Sequence, residues 1–150
     1  MAKPIYILNG PNLDLLGRRE PGVYGTGTLE DLRARLDERA GELGMEIVFR
    51  QSNSEGELVD WIHEAGDQGR GLILNAGAYT HTSIAILDAI RASGVDCIEV
   101  HISNIYRREP YRHNSYVSKA ARGVICGLGT AGYELALEAM AGASGERDAS

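Results

Sequence analysis

Short apolar runs alternating with segments of helical period constrain the fold of this chain more than any other feature. Ile5-Tyr6-Ile7-Leu8 is a continuous apolar run, as in a strand covered on both faces. Leu29, Leu32, Leu36, Ala40 and Leu43 then keep helical spacing, with Thr28 as the N-cap and Gly44 as the stop. Met45, Ile47 and Phe49 alternate with Glu46, Val48 and Arg50, the pattern of a half-exposed edge strand. Ser54-Glu55-Gly56-Glu57 is a capping box that opens a helix through Leu58, Trp61, Ile62 and Ala65. Leu72-Ile73-Leu74 reads as a third strand. Ile86, Leu87 and Ile90 share one face of a helix ended by Gly94, and Cys97-Ile98-Glu99-Val100 is a fourth strand. Val124-Ile125-Cys126 is a short fifth strand, and Tyr133, Ala136, Leu137 and Met140 mark the last helix. Strands joined by helices of this length predict an α/β fold: a doubly wound parallel sheet with right-handed crossovers and helices on both faces.

A weak second strand and a short fifth one suit the edges, giving the flavodoxin-like order 2-1-3-4-5. The chain has 150 residues, the size of one domain. The expectation is a single unit over residues 1–141 followed by a polar, disordered tail at 142–150. With 43% apolar and 24% charged residues, it has the composition of an ordinary globule. A net charge of −6 argues against nucleic acid or an anionic membrane as a partner. No apolar run approaches the ~18 residues of a membrane span. The N-terminus lacks a signal-peptide pattern, and Cys97 and Cys126 sit inside apolar runs as expected of reduced thiols, so the expected location is cytoplasmic. No Cys/His spacing resembles a zinc site, so no metal is expected.

In such a sheet, ligands bind beyond the carboxyl ends of the strands, near the switch between strands 1 and 3. Asn9 and the loop from Gly10 to Gly25 follow strand 1. Asn75-Ala76-Gly77 and then His81 follow strand 3, and His101-Ile102-Ser103-Asn104 follows strand 4. Glu99 and His101 lie two apart on one strand, so both point to the same side. A carboxylate there can fix the tautomer of the imidazole and suit it to act as a general acid. Arg18 and Arg19 on the first loop, with Arg107, Arg108 and Arg112 on the later one, put positive charge at one end of an acidic protein. Guanidinium forks fit a carboxylate or a phosphate. Tyr24 closes the first loop. Bringing a phenol from about 10 to near 7 requires ~4 kcal/mol. Two arginines at about 5 Å would each supply roughly 3 kcal/mol at an effective dielectric near 20.

Both lysines are poorly placed for imine catalysis: Lys3 precedes strand 1 and Lys119 lies in a connector. The first loop lacks the Ser/Thr-rich phosphate cradle of a flavin site, no G-x-G-x-x-G opens a helix, and no cofactor is expected. Asn9 and Asn75 stand where a phospho-acceptor receiver needs acidic groups. Two other readings stay open on the residues alone. One is a lyase or isomerase of the same fold acting on a phosphorylated substrate, and the other is a flavodoxin-like binding domain, which a yellow flavin spectrum would reveal.

Four ordered blocks carry a resemblance. They are Asn9 to Gly25 (NGPNLDLLGRREPGVYG), Gln51 to Gly56 (QSNSEG), Leu74 to Ser83 (LNAGAYTHTS) and Ile98 to Asn104 (IEVHISN), and Arg112 to Tyr116 with Gly127-Leu128-Gly129 complete the pattern. The chain resembles the type II 3-dehydroquinate dehydratases from about residue 4 to 141. The resemblance implies dehydration of 3-dehydroquinate to 3-dehydroshikimate through an enolate, in aromatic biosynthesis or quinate breakdown. It implies that Tyr24 is the base, activated by Arg19 with help from Arg108, and that His101, oriented by Glu99, is the acid. Asn12 would hold a water at the enolate oxygen. Asn75, His81, Arg112 and the backbone of Ile102 and Ser103 would bind the substrate. Asp88 shares a helical face with His81 but lies roughly 10 Å further along the axis, so it points away from its own site. In the family this aspartate reaches a neighbouring subunit's site. With apolar Ile84 on the same face, that implies a trimer, and the family assembles four trimers into a dodecamer. Asp14, Ala78, Tyr111 and Asn114 depart from the residues usual at their positions, and none is a catalytic group.

Overall fold

The computed structural model describes residues 2–18, 22 and 27–149. Five strands, β1 (Ile5–Asn9), β2 (Ile47–Gln51), β3 (Gly71–Asn75), β4 (Cys97–His101) and β5 (Gly123–Cys126), alternate with four longer helices of the described residues. These are α1 (Leu29–Glu42), α2 (Glu55–Gln68), α3 (Ile84–Ser93) and α4 (Ala131–Ala149). The sheet runs β2-β1-β3-β4-β5 and every neighbouring pair is parallel, as the strand pattern predicts. β1, β3 and β4 are buried at every residue; β1 and β3 are apolar up to their terminal asparagines, whereas β4 buries Glu99 and His101 among its apolar residues. β2 and β5 are the edges and stay half-buried.

Side-chain alternation divides the core between the two faces. Ile5, Ile7, Ile73, Ile98 and Val100 pack against Leu32 and Leu36 of α1 and against Tyr133, Ala136, Leu137 and Met140 of α4. Tyr6, Leu8, Leu72, Leu74 and Cys97 pack against Leu58 and Ile62 of α2 and against Ile86 and Ile90 of α3. Each such fully buried Ile or Leu contributes roughly 1.5–3 kcal/mol. Together these two layers hold the strand ends in a fixed register.

Local signals set the helix limits. The Thr28 hydroxyl accepts from Asp31 N–H while the Asp31 carboxylate accepts from Thr28 N–H, a full capping box where the sequence shows only an N-cap. Ser54 accepts from Glu57 N–H and Ser83 from Ile86 N–H. Gly44 and Gly94 take left-handed φ values of +72° and +69° just past α1 and α3. α4 spans Ala131–Ala149. No proline follows to stop a helix already anchored by its buried face up to Met140. Cys97 is buried and Cys126 half-buried, and both are free thiols.

Candidate active site

The carboxyl ends of β1, β3 and β4 carry Asn9, Asn75 and His101. Asn9 and Asn75 are direct register partners. Beyond β1 the chain turns across the end of β3, with Gly10 N–H donating to the Asn75 carbonyl over 2.8 Å. Only glycine fits there, because a Cβ would sit 2.3 Å from the Ala76 carbonyl oxygen. Asn12 then takes φ +70°, the one positive φ of a non-glycine among the described residues. Its N–H donates to Asn53 Oδ1 at 3.0 Å, and Gln51 Nε2 donates to both Asn53 Oδ1 and the Gly10 carbonyl, each at 3.1 Å. The Gln51–Asn53 block therefore fastens the first loop over the strand ends.

These loops border a cleft at the carboxyl ends of β1, β3 and β4. Pro11, Asn12 and Leu13 line it from the loop after β1, Asn75, Gly77 and His81 from the end of β3 and the turn beyond, and His101, Ile102, Ser103, Arg108 and Arg112 from the end of β4 and the segment that follows. Eight of the residues singled out in the sequence thus share one cavity. Glu99 stands behind His101 and is fully buried. Asp88 is exposed on α3, outside the cavity lining. Tyr24 and Arg19 lie outside the described residues.

The Glu99 carboxylate hydrogen-bonds His101 Nε2. It also accepts from the Ser118 hydroxyl on its other oxygen, from the Ser115 hydroxyl at 2.7 Å and from the Thr80 hydroxyl at 3.2 Å. Burial alone would push the Glu99 carboxyl up. The His101 hydrogen bond and charge, then the Ser118 and Ser115 hydroxyls, outweigh it and hold the group below the ordinary 4.5. The buried acid is thus a carboxylate saturated with donors. With Nε2 committed to Glu99, the His101 Nδ1 is the nitrogen left to address a ligand in the cleft.

His81 stacks on His101 with ring centroids 6.4 Å apart and 16° between planes. Its Nδ1 lies 2.9 Å from the Asn114 carbonyl, which can only accept, so Nδ1 carries the proton and Nε2 is a bare acceptor. A main-chain carbonyl makes this bond, so it does not depend on the side chain at position 114. Burial, followed by the neighbouring His101 and Arg112 charges, keeps the His81 pKa below 6.5 against the opposing pull of that carbonyl. Arg112 Nε donates to Glu109 Oε2 at 2.8 Å and stacks over Tyr111 at 5.3 Å. Arg108 Nη1 reaches the Ser103 hydroxyl at 3.4 Å and its Nε lies 3.9 Å from Glu109. One carboxylate therefore holds both guanidinium groups at the cavity edge.

The hydroxyls of Thr80, Ser115 and Ser118, and the carboxylate of Glu109, are functional neighbours that the sequence pattern does not single out. Thr80 and Ser115 fall inside the family-like blocks, but a hydroxyl has no periodicity to announce its partner. Among the described residues, no three His, Cys, Asp or Glu side chains gather as a metal site. No helix of those residues is long and apolar enough to cross a membrane.

Comparison with known proteins follows the same geometry. The dehydroquinase class II family model matches residues 3–141. The 3-dehydroquinate dehydratase of Chelativorans sp. (strain BNC1) is 59% identical over 142 residues, covering 94% of this chain and 98% of that protein. That of Brucella canis is 53% identical over 148 residues, covering 99% and 94%. Among solved structures, the type II dehydroquinase of Propionibacterium acnes superposes with a TM-score of 0.90 at 52% identity, covering 94% and 97%. A 3-dehydroquinate dehydratase-like protein from Bifidobacterium longum gives 0.69 at 35% identity, covering 94% and 96%. A five-stranded 2-1-3-4-5 sheet, a cleft at its carboxyl ends and this likeness along nearly the whole chain lead to one assignment: the chain belongs to the class II dehydroquinase family.

Proposed function

We propose that the cleft dehydrates 3-dehydroquinate by side-chain acid–base chemistry, without metal or cofactor. The protein is a 3-dehydroquinate dehydratase, a hydro-lyase of the shikimate pathway. In the proposed route, Tyr24 as phenolate takes a proton from the carbon beside the substrate ketone, and the C–H electrons move onto the ketone oxygen as an enolate. Arg19, with Arg108, stabilises the phenolate. Asn12 holds a water against the enolate oxygen. The enolate then collapses, the carbon–oxygen bond to the hydroxyl breaks, and the His101 Nδ1 proton leaves with that oxygen as water, giving 3-dehydroshikimate. Solvent returns the proton to His101 and takes the one held by Tyr24.

The observation that carries this reading is His101, hydrogen-bonded to the buried Glu99 carboxylate, lining the same cleft as Arg108 and Arg112. A carboxylate with its donors satisfied stabilises an imidazolium and so prepares a general acid. Arg112 and the Ile102 and Ser103 amides suit the substrate carboxylate, while Asn75 and His81 suit its hydroxyls. The catalytic unit is residues 1–141. In this reading it works in the cytoplasm as a dodecamer built from four trimers, with exposed Asp88 reaching a neighbour's cleft and with neither nucleic acid nor membrane as partner. Tyr24→Phe and His101→Ala should each lower turnover by about 10²–10⁴-fold with the fold intact. Near-parental turnover in both folded variants would overturn the mechanism.

A further inference from the structure

Tyr133 of α4 is fully buried, and its hydroxyl lies between the two strand-end asparagines. It is 2.7 Å from Asn9 Oδ1 and 2.9 Å from Asn75 Nδ2. Two further bonds close a chain: Asn9 Nδ2 to the Arg50 carbonyl at 3.1 Å, and Gly77 N–H to Asn75 Oδ1 at 3.2 Å. The ends of this chain fix its direction. A main-chain carbonyl can only accept, so the Asn9 nitrogen faces Arg50 and its oxygen faces Tyr133. A main-chain N–H can only donate, so the Asn75 oxygen faces Gly77 and its nitrogen faces Tyr133. The Tyr133 hydroxyl must therefore donate to Asn9 and accept from Asn75. Burial pushes the Tyr133 phenol far up, so it keeps its proton to donate. One Asn75 N–H remains, and Asn75 lines the cleft.

We propose that Tyr133 is a positioning residue: through the polarised chain Gly77–Asn75–Tyr133–Asn9–Arg50 it locks the Asn75 amide so that the cleft meets an N–H donor and selects a lone-pair oxygen of the substrate there. The proposal rests on the functional reading above, in which Asn75 binds substrate. Tyr133 and Asn9 do not line the cleft, and the Tyr133 hydroxyl reaches it through its hydrogen bond to Asn75.

The test is a double-mutant cycle on KM for 3-dehydroquinate. Tyr133→Phe lets the Asn75 amide turn and should raise KM by roughly tenfold with kcat changed little. Asn9→Leu removes the acceptor of Tyr133, frees its hydroxyl to donate toward Asn75, and should raise KM similarly. In an Asn75→Ala background, Tyr133→Phe should change KM by less than about twofold. Unchanged KM in the folded single variants, or an undiminished effect in the Asn75→Ala background, would overturn the proposal. If the unmutated protein does not dehydrate 3-dehydroquinate, the functional reading fails. Neutron diffraction of that protein then decides the chain: deuterium on the Tyr133 oxygen toward Asn9 and on Asn75 Nδ2 toward Tyr133 supports it, and the reverse orientation overturns it. The same measurement serves if the variants do not fold.

Discussion

Glu99→Gln isolates the charge behind His101 while preserving its shape. In the parent, a fully buried carboxylate faces the imidazole through Nε2. Two unit charges about 4 Å apart at an effective dielectric near 20 interact by roughly 4 kcal/mol. Removing one takes that attraction away from the proton-donating form of His101. The glutamine amide also reverses the pairing. It can donate to Nε2, which shifts the ring proton to Nδ1 in the neutral form. A neutral ring can still donate through Nδ1, so turnover at pH 7 should fall by about 10²-fold rather than to zero. The hydroxyls of Ser115, Ser118 and Thr80 lose a charged acceptor, which costs about 1–3 kcal/mol of stability. Initial rates followed by enone absorbance across the pH range, beside a thermal unfolding curve, read both effects. A folded variant within about threefold of parental turnover would refute the reasoning.

The His81 imidazole should titrate below 6.5 by nuclear magnetic resonance and show the Nδ1–H tautomer; a midpoint above that value would contradict the packing described. In Gly10→Ala, the new Cβ meets the Ala76 carbonyl at 2.3 Å, so the first loop must shift. Stability should fall by about 1–3 kcal/mol and KM should rise, as thermal unfolding and steady-state rates would show. Acid should destabilise the protein through two carboxyls. Glu64 is held low first by the Arg50 hydrogen bond and then by the Tyr6 hydroxyl, and Glu99 is held below the same ordinary value of 4.5. A depressed carboxyl contributes stability that is complete above its unfolded pKa and lost as pH falls through its folded one. Unfolding free energy should therefore decline below about pH 4.5, and less steeply in Glu64→Gln. A profile flat through that window would contradict both assignments.

The parts of the fold set by burial are readable from the chain alone. β1 and β3 announce themselves because a strand covered on both faces is mostly apolar, and β4 does so through Cys97, Ile98 and Val100. The half-buried edges β2 and β5 carry the weaker patterns that place them outermost. The polar strand ends Asn9, Asn75 and His101 point to the cleft because this sheet type binds ligands there. Tertiary partners are less legible. Nothing local to Ser115, Ser118 or Thr80 says that their hydroxyls converge on Glu99, since their contacts span 16 to 19 residues of sequence. Tyr133 reads as a core position on the last helix, yet its hydroxyl meets Asn9 across 124 residues. The Glu109 clamp on two arginines follows from turn geometry rather than from charge count. Tyr24 and Arg19 rest on the family pattern of the first loop, where composition alone supplies a phenol and cations without their arrangement.

The central claim is the reaction itself. Purified protein, treated with chelator and with borohydride in the presence of substrate, should be mixed with 3-dehydroquinate while ultraviolet absorbance is followed. A sustained rise from the conjugated enone of 3-dehydroshikimate is the predicted result and identifies side-chain acid–base dehydration. A folded protein that gives no rise, or whose rise is abolished by either treatment, would contradict the account.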